Sequence, residues 1–502
     1  MKILVAIASY GVGNDAYLAR LLAEYGRLPH AVDVVVVSNI EKEVGAGVEV
    51  VVGLPTSDPW SLPFAHKTIF AQRLEDYDLF IYSEDDTLVT QENIDAFLWA
   101  TSILEPDELA GFMRSEEGPD GALHYSTIHN HYHWDVHSAC RRQGETFVHF
   151  TNEHSACYLL TRDQLRRAID SGGFCVPPHQ GRYDLLVSAA TDPYTQCGFR
   201  KLVCVSRLRE FTVRHLTNKY IGRTGVAASL VELQVRTLID IAGASDPPPA
   251  SIRSAPRLAG TRWIKSYYEP CREDLVALVP ESAHTVLSIG CGWGSTEEAL
   301  LRKHLDVSAI PLDAVIGEVA ASRGVRIIRW RLEEAPAHLA EASFDVLLIP
   351  GLLHLLDDPV GILRSYRPLL SEGGVVIATC PNLRHASVWR RRLLRAPEVA
   401  GLADHRRSGV HVTSLSILRG WLHDAGFATH RSLQQMNERW RRYHLGTLGL
   451  FGRVWASEFT VVARSRLSSG RRSSEAMPRY PPTDRVREAP AIPGVRTADP
   501  MR

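Results

Sequence analysis

The sequence predicts an α/β protein made of two α/β domains, and three observations carry that prediction. At 502 residues the chain exceeds a single ordinary core, since domains run to roughly 100–200 residues. Twice along the chain, continuous β-branched runs alternate with helical windows, as expected of strands buried on both faces of a largely parallel sheet. Between the two regions lies GASDPPPASIRSAP, whose prolines and small polar residues sustain neither helix nor sheet.

The elements follow in order. Residues 1–225 open with the strand KILVAIAS, then a helix over Asp15–Tyr25, the strands VDVVVVS and VEVVVG, a helix near Ala65–Leu74, and DLFIYS, which runs into Glu84, Asp85 and Asp86. Thr90 supplies an N-cap oxygen for QENIDAFLWATSIL, and Thr161 with Gln164 forms a capping-box pattern after the strand of FVHFTNEHSACYLLTRDQL. Residues 226–280 read as a helix, ASLVELQVRTLIDIA, followed by a Pro-rich linker. Residues 281–465 form the second domain, and 466–502, rich in Pro, Ser and Arg, are predicted to be disordered. With so few apolar residues in the linker to bridge two cores, the halves are expected to fold separately.

Composition narrows the class. Hydrophobic residues at 45% and charged residues at 23% are globular values, and a formal net charge of -1 argues against a chain-wide field for nucleic acid. The basic WRRRLLRA reads as a solvated helical face. Eight cysteines without a CxxC pair suit a reduced, cytoplasmic compartment better than a disulfide framework or a zinc site. The N-terminal apolar run is too short for a signal peptide, and no window approaches the ~20 apolar residues of a membrane helix, so any membrane contact would be peripheral.

In the second domain, TVLSIGCGWGSTEEALL sets the strand Val286–Ile289 before Gly290, Gly292 and Gly294 and a helix after them. Such glycines let the backbone turn sharply and approach a ligand at a helix N-terminus, although a plain strand-to-helix turn would use the same residues. About twenty residues on, VSAIPLD ends a second strand in Asp313, where a carboxylate can accept from both hydroxyls of an adenosine ribose. With FDVLLI and LLSEGGVVIATCPN following in order, the region resembles a class I S-adenosylmethionine-dependent methyltransferase, with the Rossmann-like fold of that family. The resemblance implies that Gly290, Gly292 and Gly294 bind the methionine and adenosine side of S-adenosylmethionine and Asp313 its ribose. It departs at RWRLEE, where many relatives carry an acidic residue after the third strand, and at Leu353, where an acidic residue often precedes the histidine. His354 and His385 fall at strand ends facing an acceptor, and His385 is taken as the candidate base.

In the first domain the trio Glu84-Asp85-Asp86 could be a solvated turn or a set of helix caps, but Thr90 already fills the capping role. Ligands of open α/β sheets collect at the carboxyl ends of strands, and hard cations bind one or two carboxylates together with phosphate oxygens. Over residues 1–225 the pattern resembles a GT-A-type, family-2-like glycosyltransferase, with a GT-A-like nucleotide-sugar fold. That resemblance implies Mn²⁺ or Mg²⁺ held by Glu84 and Asp86, with His215 of VRHLTNKY as a later ligand. It also implies an acceptor-activating base, Asp184 or Asp192, of which Asp184 is favoured because Asp192 precedes Pro193 at a turn. HNHYHWDVH lacks the spacing of a zinc site and reads as an acceptor loop with Trp134 stacked on a sugar ring.

Together these readings make the chain a bifunctional enzyme that takes a nucleotide-sugar donor and a glycan or glycoconjugate acceptor, transfers the sugar, and methylates the glycan, most simply on oxygen. The alternative is a methyltransferase with a non-catalytic, glycan- or nucleotide-binding N-terminal domain.

Overall fold

In the computed structural model, residues 1–222, 224–245, 252–258, 262–396, 399–436 and 452–466 are described; the Pro-rich centre of the expected linker and the expected disordered tail from 467 onward lie outside them. Strands β1 (Lys2–Ser9), β2 (Ala31–Ser38), β3 (Val48–Val52) and β4 (Leu79–Glu84) form a parallel sheet in the order β4-β1-β2-β3, closed by β5 (Cys157–Thr161) antiparallel to β4. β1 is central, so Ile3 to Ile7 are fully buried, as a strand covered on both faces requires. The helix α1 (Asp15–Tyr25) buries Leu18, Leu21 and Tyr25, one stripe at helical spacing.

The capping boxes at Thr90 with Asn93 and at Thr161 with Gln164 are both formed. A second sheet pairs Thr212–His215 with Thr87–Leu88 just beyond the trio of carboxylates, setting His215 opposite Thr87. That pairing carries a residue from the end of this lobe to the end of β4. Helices α2 (Leu185–Thr195) and α3 (Ala228–Gly243) follow.

The second lobe is a seven-stranded sheet of β6 (Thr285–Cys291), β7 (Asp306–Pro311), β8 (Arg326–Ile327), β9 (Phe344–Ile349), β10 (Leu370–Pro381), β11 (Phe427–Gln435) and β12 (Glu458–Ser465). Its order is β8-β7-β6-β9-β10-β12-β11, with only β12 antiparallel to its neighbours. The chain winds outward from β6 in both directions, which opens a crevice at the carboxyl ends beside it. Helices α4 (Ser295–Leu301) and α5 (Ala314–Ser322) leave β6 and β7 there.

Met1–Ser465 form one compact unit, and one connected set of buried apolar side chains runs from Ile3 in β1 to Val376 in β10. α3 packs on α5, tying the lobes together. The described part of the expected linker lies along the second sheet: Ile252 N donates to Leu312 O at 2.8 Å and Arg257 N to Ser408 O at 2.7 Å. Among the described residues no helix is long and apolar enough to cross a membrane.

Candidate active site

At the end of β6, Gly290 and Gly294 take φ values of +82° and +83°, which side-chain-bearing residues avoid. A Cβ on Gly290 would lie 2.9 Å from Leu352 Cδ2, and one on Gly294 3.0 Å from the Ala320 backbone. At Gly292 the space sought for a ligand is held by the chain itself: a Cβ there would sit 2.3 Å from the carbonyl oxygen of Tyr267. Trp293 N donates to that oxygen at 2.8 Å, while Trp293 Nε1 and Ser295 Oγ both donate to the Glu269 carbonyl. Because a backbone carbonyl cannot swing aside, Gly292→Ala should lower stability by about 1–3 kcal/mol in urea unfolding. Gly13→Ala, with open space around it, should change it by less than about 0.5 kcal/mol.

Asp313 is the N-cap of α5, and its Oδ1 accepts from Ile316 N at 2.8 Å. Burial pushes its pKa up to about 6, against the opposing pull of the Ile316 and Val315 N–H groups and the Tyr267 hydroxyl. It borders a cavity of about 260 Å³ walled by Leu312, Ile327, Trp330 and Ile252. A larger cavity of about 570 Å³ adjoins it, sharing Ile252 and Leu332 and adding Arg253, Arg331 and Asp358. Over the glycine loop, by contrast, Lys265, Glu269, Glu297 and Pro350 leave a recess of only about 10 Å³. Lys265 Nζ donates to Glu269 Oε2 at 2.7 Å. Lys265, Tyr267 and Glu269 were not singled out from the sequence; the aromatic pair and lysine of WIKSYYEP, inside a supposed linker, were the available signal.

The two histidines are constrained. His354 donates from Nε2 to Trp263 O at 2.9 Å, and burial lowers its pKa to about 4. His385 caps the helix α6 (Ala386–Leu393), its Nδ1 accepting from Ser387 N at 3.1 Å, and burial lowers its pKa.

In the first lobe the carboxylates diverge. Asp85 accepts from Ser9 Oγ and Asn14 Nδ2, both at 2.7 Å, and so holds the start of the first helix. Asp86 Oδ2 lies 3.1 Å from His215 Nε2, and His215 Nδ1 lies 2.5 Å from Glu116 Oε1. Burial would raise Asp86, but His215 holds it below its usual value. Glu84 is pushed up to about 8 by burial and by the Asp86 charge, and its Oε1 has no hydrogen-bond partner. The expected set of Glu84, Asp86 and His215 is therefore joined only in part. Among the described residues no group of three or more His, Cys, Asp or Glu is arranged to hold a metal ion.

Asp184 caps α2, its Oδ1 accepting from Val187 N at 3.0 Å. Asp192, the other aspartate considered as a base, is fully buried, ion-paired with Lys67 and 3.1 Å from His179 Nε2, which removes it from any acceptor. Trp134 is 2% exposed and meets Phe150 edge-on at 4.8 Å between ring centroids. It cannot present a face to a sugar.

Residues 287–376 match the family described as methyltransferase domain. The ubiquinone biosynthesis O-methyltransferase of Xylella fastidiosa (strain 9a5c) is 30% identical over 182 residues, 34% of this chain and 72% of that protein. The chain belongs to the S-adenosylmethionine-dependent methyltransferases. A ubiquinone biosynthesis O-methyltransferase of Paracidovorax citrulli (strain AAC00-1) is 28% identical over 168 residues, 31% of this methyltransferase and 70% of that one. A solved S-adenosylmethionine-dependent methyltransferase from Mesorhizobium loti is 20% identical, covers 38% of this chain and 96% of its own, and has a TM-score of 0.30. In this methyltransferase the two departures from the family pattern have structural homes. Arg331 of RWRLEE lines the larger cavity, and Leu353 is fully buried in the core.

Proposed function

We propose that the methyltransferase lobe carries a methyl group from S-adenosylmethionine to an oxygen of a glycan or glycoconjugate, and that the first lobe attaches a sugar from a nucleotide-sugar donor. The observation that carries the first part is a buried carboxylate, Asp313, at the edge of a largely apolar slot at the carboxyl ends of the strands. The slot suits a purine, and Asp313 suits the two ribose hydroxyls beside it. S-adenosylmethionine supplies, when bound, a sulfonium methyl carbon open to in-line displacement. The chain's own part is positioning: Gly290, Gly292 and Gly294 shape the loop under the donor, and the cavity between Arg253, Arg331 and Leu355 receives the acceptor. His385, four residues beyond β10, would take the acceptor proton, and burial, which lowers its pKa, favours the neutral ring that a base needs. The two relatives, both ubiquinone biosynthesis O-methyltransferases, favour oxygen as the methylated atom.

In the first lobe, Asp86 and His215 would hold Mn²⁺ or Mg²⁺ arriving with the nucleotide, because such cations need only one or two protein carboxylates when phosphate oxygens complete the shell. The unpartnered Glu84 Oε1 beside them fits that reading. The cation would offset the charge of the departing diphosphate, and Asp184 would accept the proton of the sugar acceptor. Titrating a nucleoside diphosphate with and without Mn²⁺ tests this. Wild-type binding should require the metal and vanish in Asp86→Ala, whereas metal-independent binding unaltered by the substitution would leave Asp86 and His215 a structural hydrogen-bonded pair. The closed chain from Glu116 through His215 to Asp86 favours a second reading, a first lobe that binds nucleotide or glycan without catalysis. Mass spectrometry of products from a panel of nucleotide sugars with S-adenosylmethionine separates the two.

A further inference from the structure

We propose that Lys265–Glu269 is a lid over the tail side of the donor site, latched shut by the first-lobe loop His129–Trp134. The proposal rests on the reading of Gly290–Gly294 as the donor loop. The recess between that loop and the strap holds about 10 Å³, room for roughly one water and far too little for an amino-acid tail. The long side chain that walls it from the strap is Lys265. It is 4% exposed, its ammonium meets Glu269, and its Cδ lies 3.9 Å from where a Cβ on Gly351 would stand. The lysine thus reaches from the strap to the end of β9, across the place a donor tail must take. The neighbouring adenosine-side cavity is open at the same time. A site open on one side and filled by its own chain on the other is a covered site.

The strap is held from two sides. The glycine loop holds it through Trp293 and Ser295, as described above. The other hold comes from the first lobe, where Tyr267 N and Tyr268 N both donate to the single carbonyl of Asn130 at 2.8 Å. Asn130 adopts φ +43°, a left-handed conformation that residues other than glycine seldom take. The His133 ring lies flat on Tyr267, 3.9 Å between centroids and 5° from parallel, and the Tyr268 hydroxyl donates to Gln234 Oε1 of α3 at 2.9 Å.

The latch loop is also bonded to the first-lobe segments around Thr151 and Asp184. His133 N donates to Thr151 Oγ1 at 2.9 Å, Arg182 donates to Thr151 O and pairs with Glu153, and the Tyr183 hydroxyl donates to the same Glu153. Residues 182 and 183 immediately precede Asp184, so a ligand that shifts Asp184 would act on the segment that also holds the latch loop. A coupling of this kind is reciprocal: whatever loosens the latch favours the methyl donor, and the donor in turn loosens the latch.

The test uses the full chain, S-adenosylhomocysteine as probe, calorimetry for affinity and amide hydrogen exchange at Tyr267 and Tyr268. His133→Ala should speed exchange at those two amides without probe and tighten binding by about fivefold or more. His133→Phe, which keeps a flat ring on Tyr267, should behave as wild type. Lys265→Ala, which empties the recess and leaves the latch untouched, should tighten binding as well. Unchanged or weaker binding in His133→Ala, or weaker binding in Lys265→Ala, overturns the lid, the latter by making Lys265 a ligand of the donor. No binding to any variant or to wild type overturns the donor-loop assignment itself.

Discussion

Asp313→Ala should weaken S-adenosylmethionine binding by about 10- to 100-fold, the equivalent of roughly 1.5–3 kcal/mol for hydrogen bonds to a charged group. The carboxylate is buried and already accepts from Ile316 N, so its loss removes both the ribose partner and the cap of α5. Asp313→Asn keeps a capping side chain and separates the two effects. The carboxyl titrates at about 6 in the folded chain against an ordinary 3.8, chiefly because burial disfavours its charge. The folded state therefore holds this proton more tightly than the unfolded state does. Its contribution to stability is complete below the unfolded value and is lost as pH rises through about 6. Donor binding has the opposite sign, because ribose hydroxyls donate best to the ionised carboxylate. Affinity should rise between about pH 5 and 7 in the wild type and stay level in Asp313→Asn. Calorimetric titration across that range decides it, and a flat wild-type profile would remove Asp313 from the donor site.

Asp192→Ala should cost about 3–5 kcal/mol of stability, the usual penalty for leaving a buried partner charge uncompensated. The Asp192 side chain is 0% exposed and that of Lys67 3%, and the second carboxylate oxygen faces His179. Burial lowers the Lys67 pKa even with Asp192 present. Without it, Lys67 must deprotonate on folding, so the variant should gain stability as pH rises toward the lysine's unfolded value of 10.5. Urea unfolding at two pH values measures both effects. The joint change Lys67→Met with Asp192→Leu should recover most of the loss by replacing a buried ion pair with apolar packing. A variant that lost sugar transfer while keeping wild-type stability would return Asp192 to the set of catalytic bases.

Local signals are legible in the sequence. The caps at Thr90 and Thr161 involve residues three positions apart, and the runs KILVAIAS and VLSIGC bury because their own β-branched composition demands it. The glycine loop and Asp313 could be placed for the same reason, each standing directly after a recognisable strand. Long-range partnerships were another matter. Asp192 reads as a turn residue beside Pro193, but it lies within α2 and pairs with Lys67, 125 positions away. Trp134 looked like a sugar platform until Phe150 covered it.

The sequence by itself determined two α/β lobes, the strand ends at which ligands could gather, and a methyltransferase domain with its glycine loop, because periodicity, capping and glycine conformation act within a few residues. Only the tertiary structure decided that Asp85 bonds Ser9 and Asn14, that Asp86 meets His215 while Glu84 Oε1 is left without a hydrogen-bond partner, and that Gly292 makes room for Tyr267. It also decided that the stretch resembling a linker lies over the glycine loop, held by Asn130 and His133 of the other lobe. Burial and the identity of a distant partner set the charge of each carboxylate and the occupant of each space, and neither is written in the neighbouring residues.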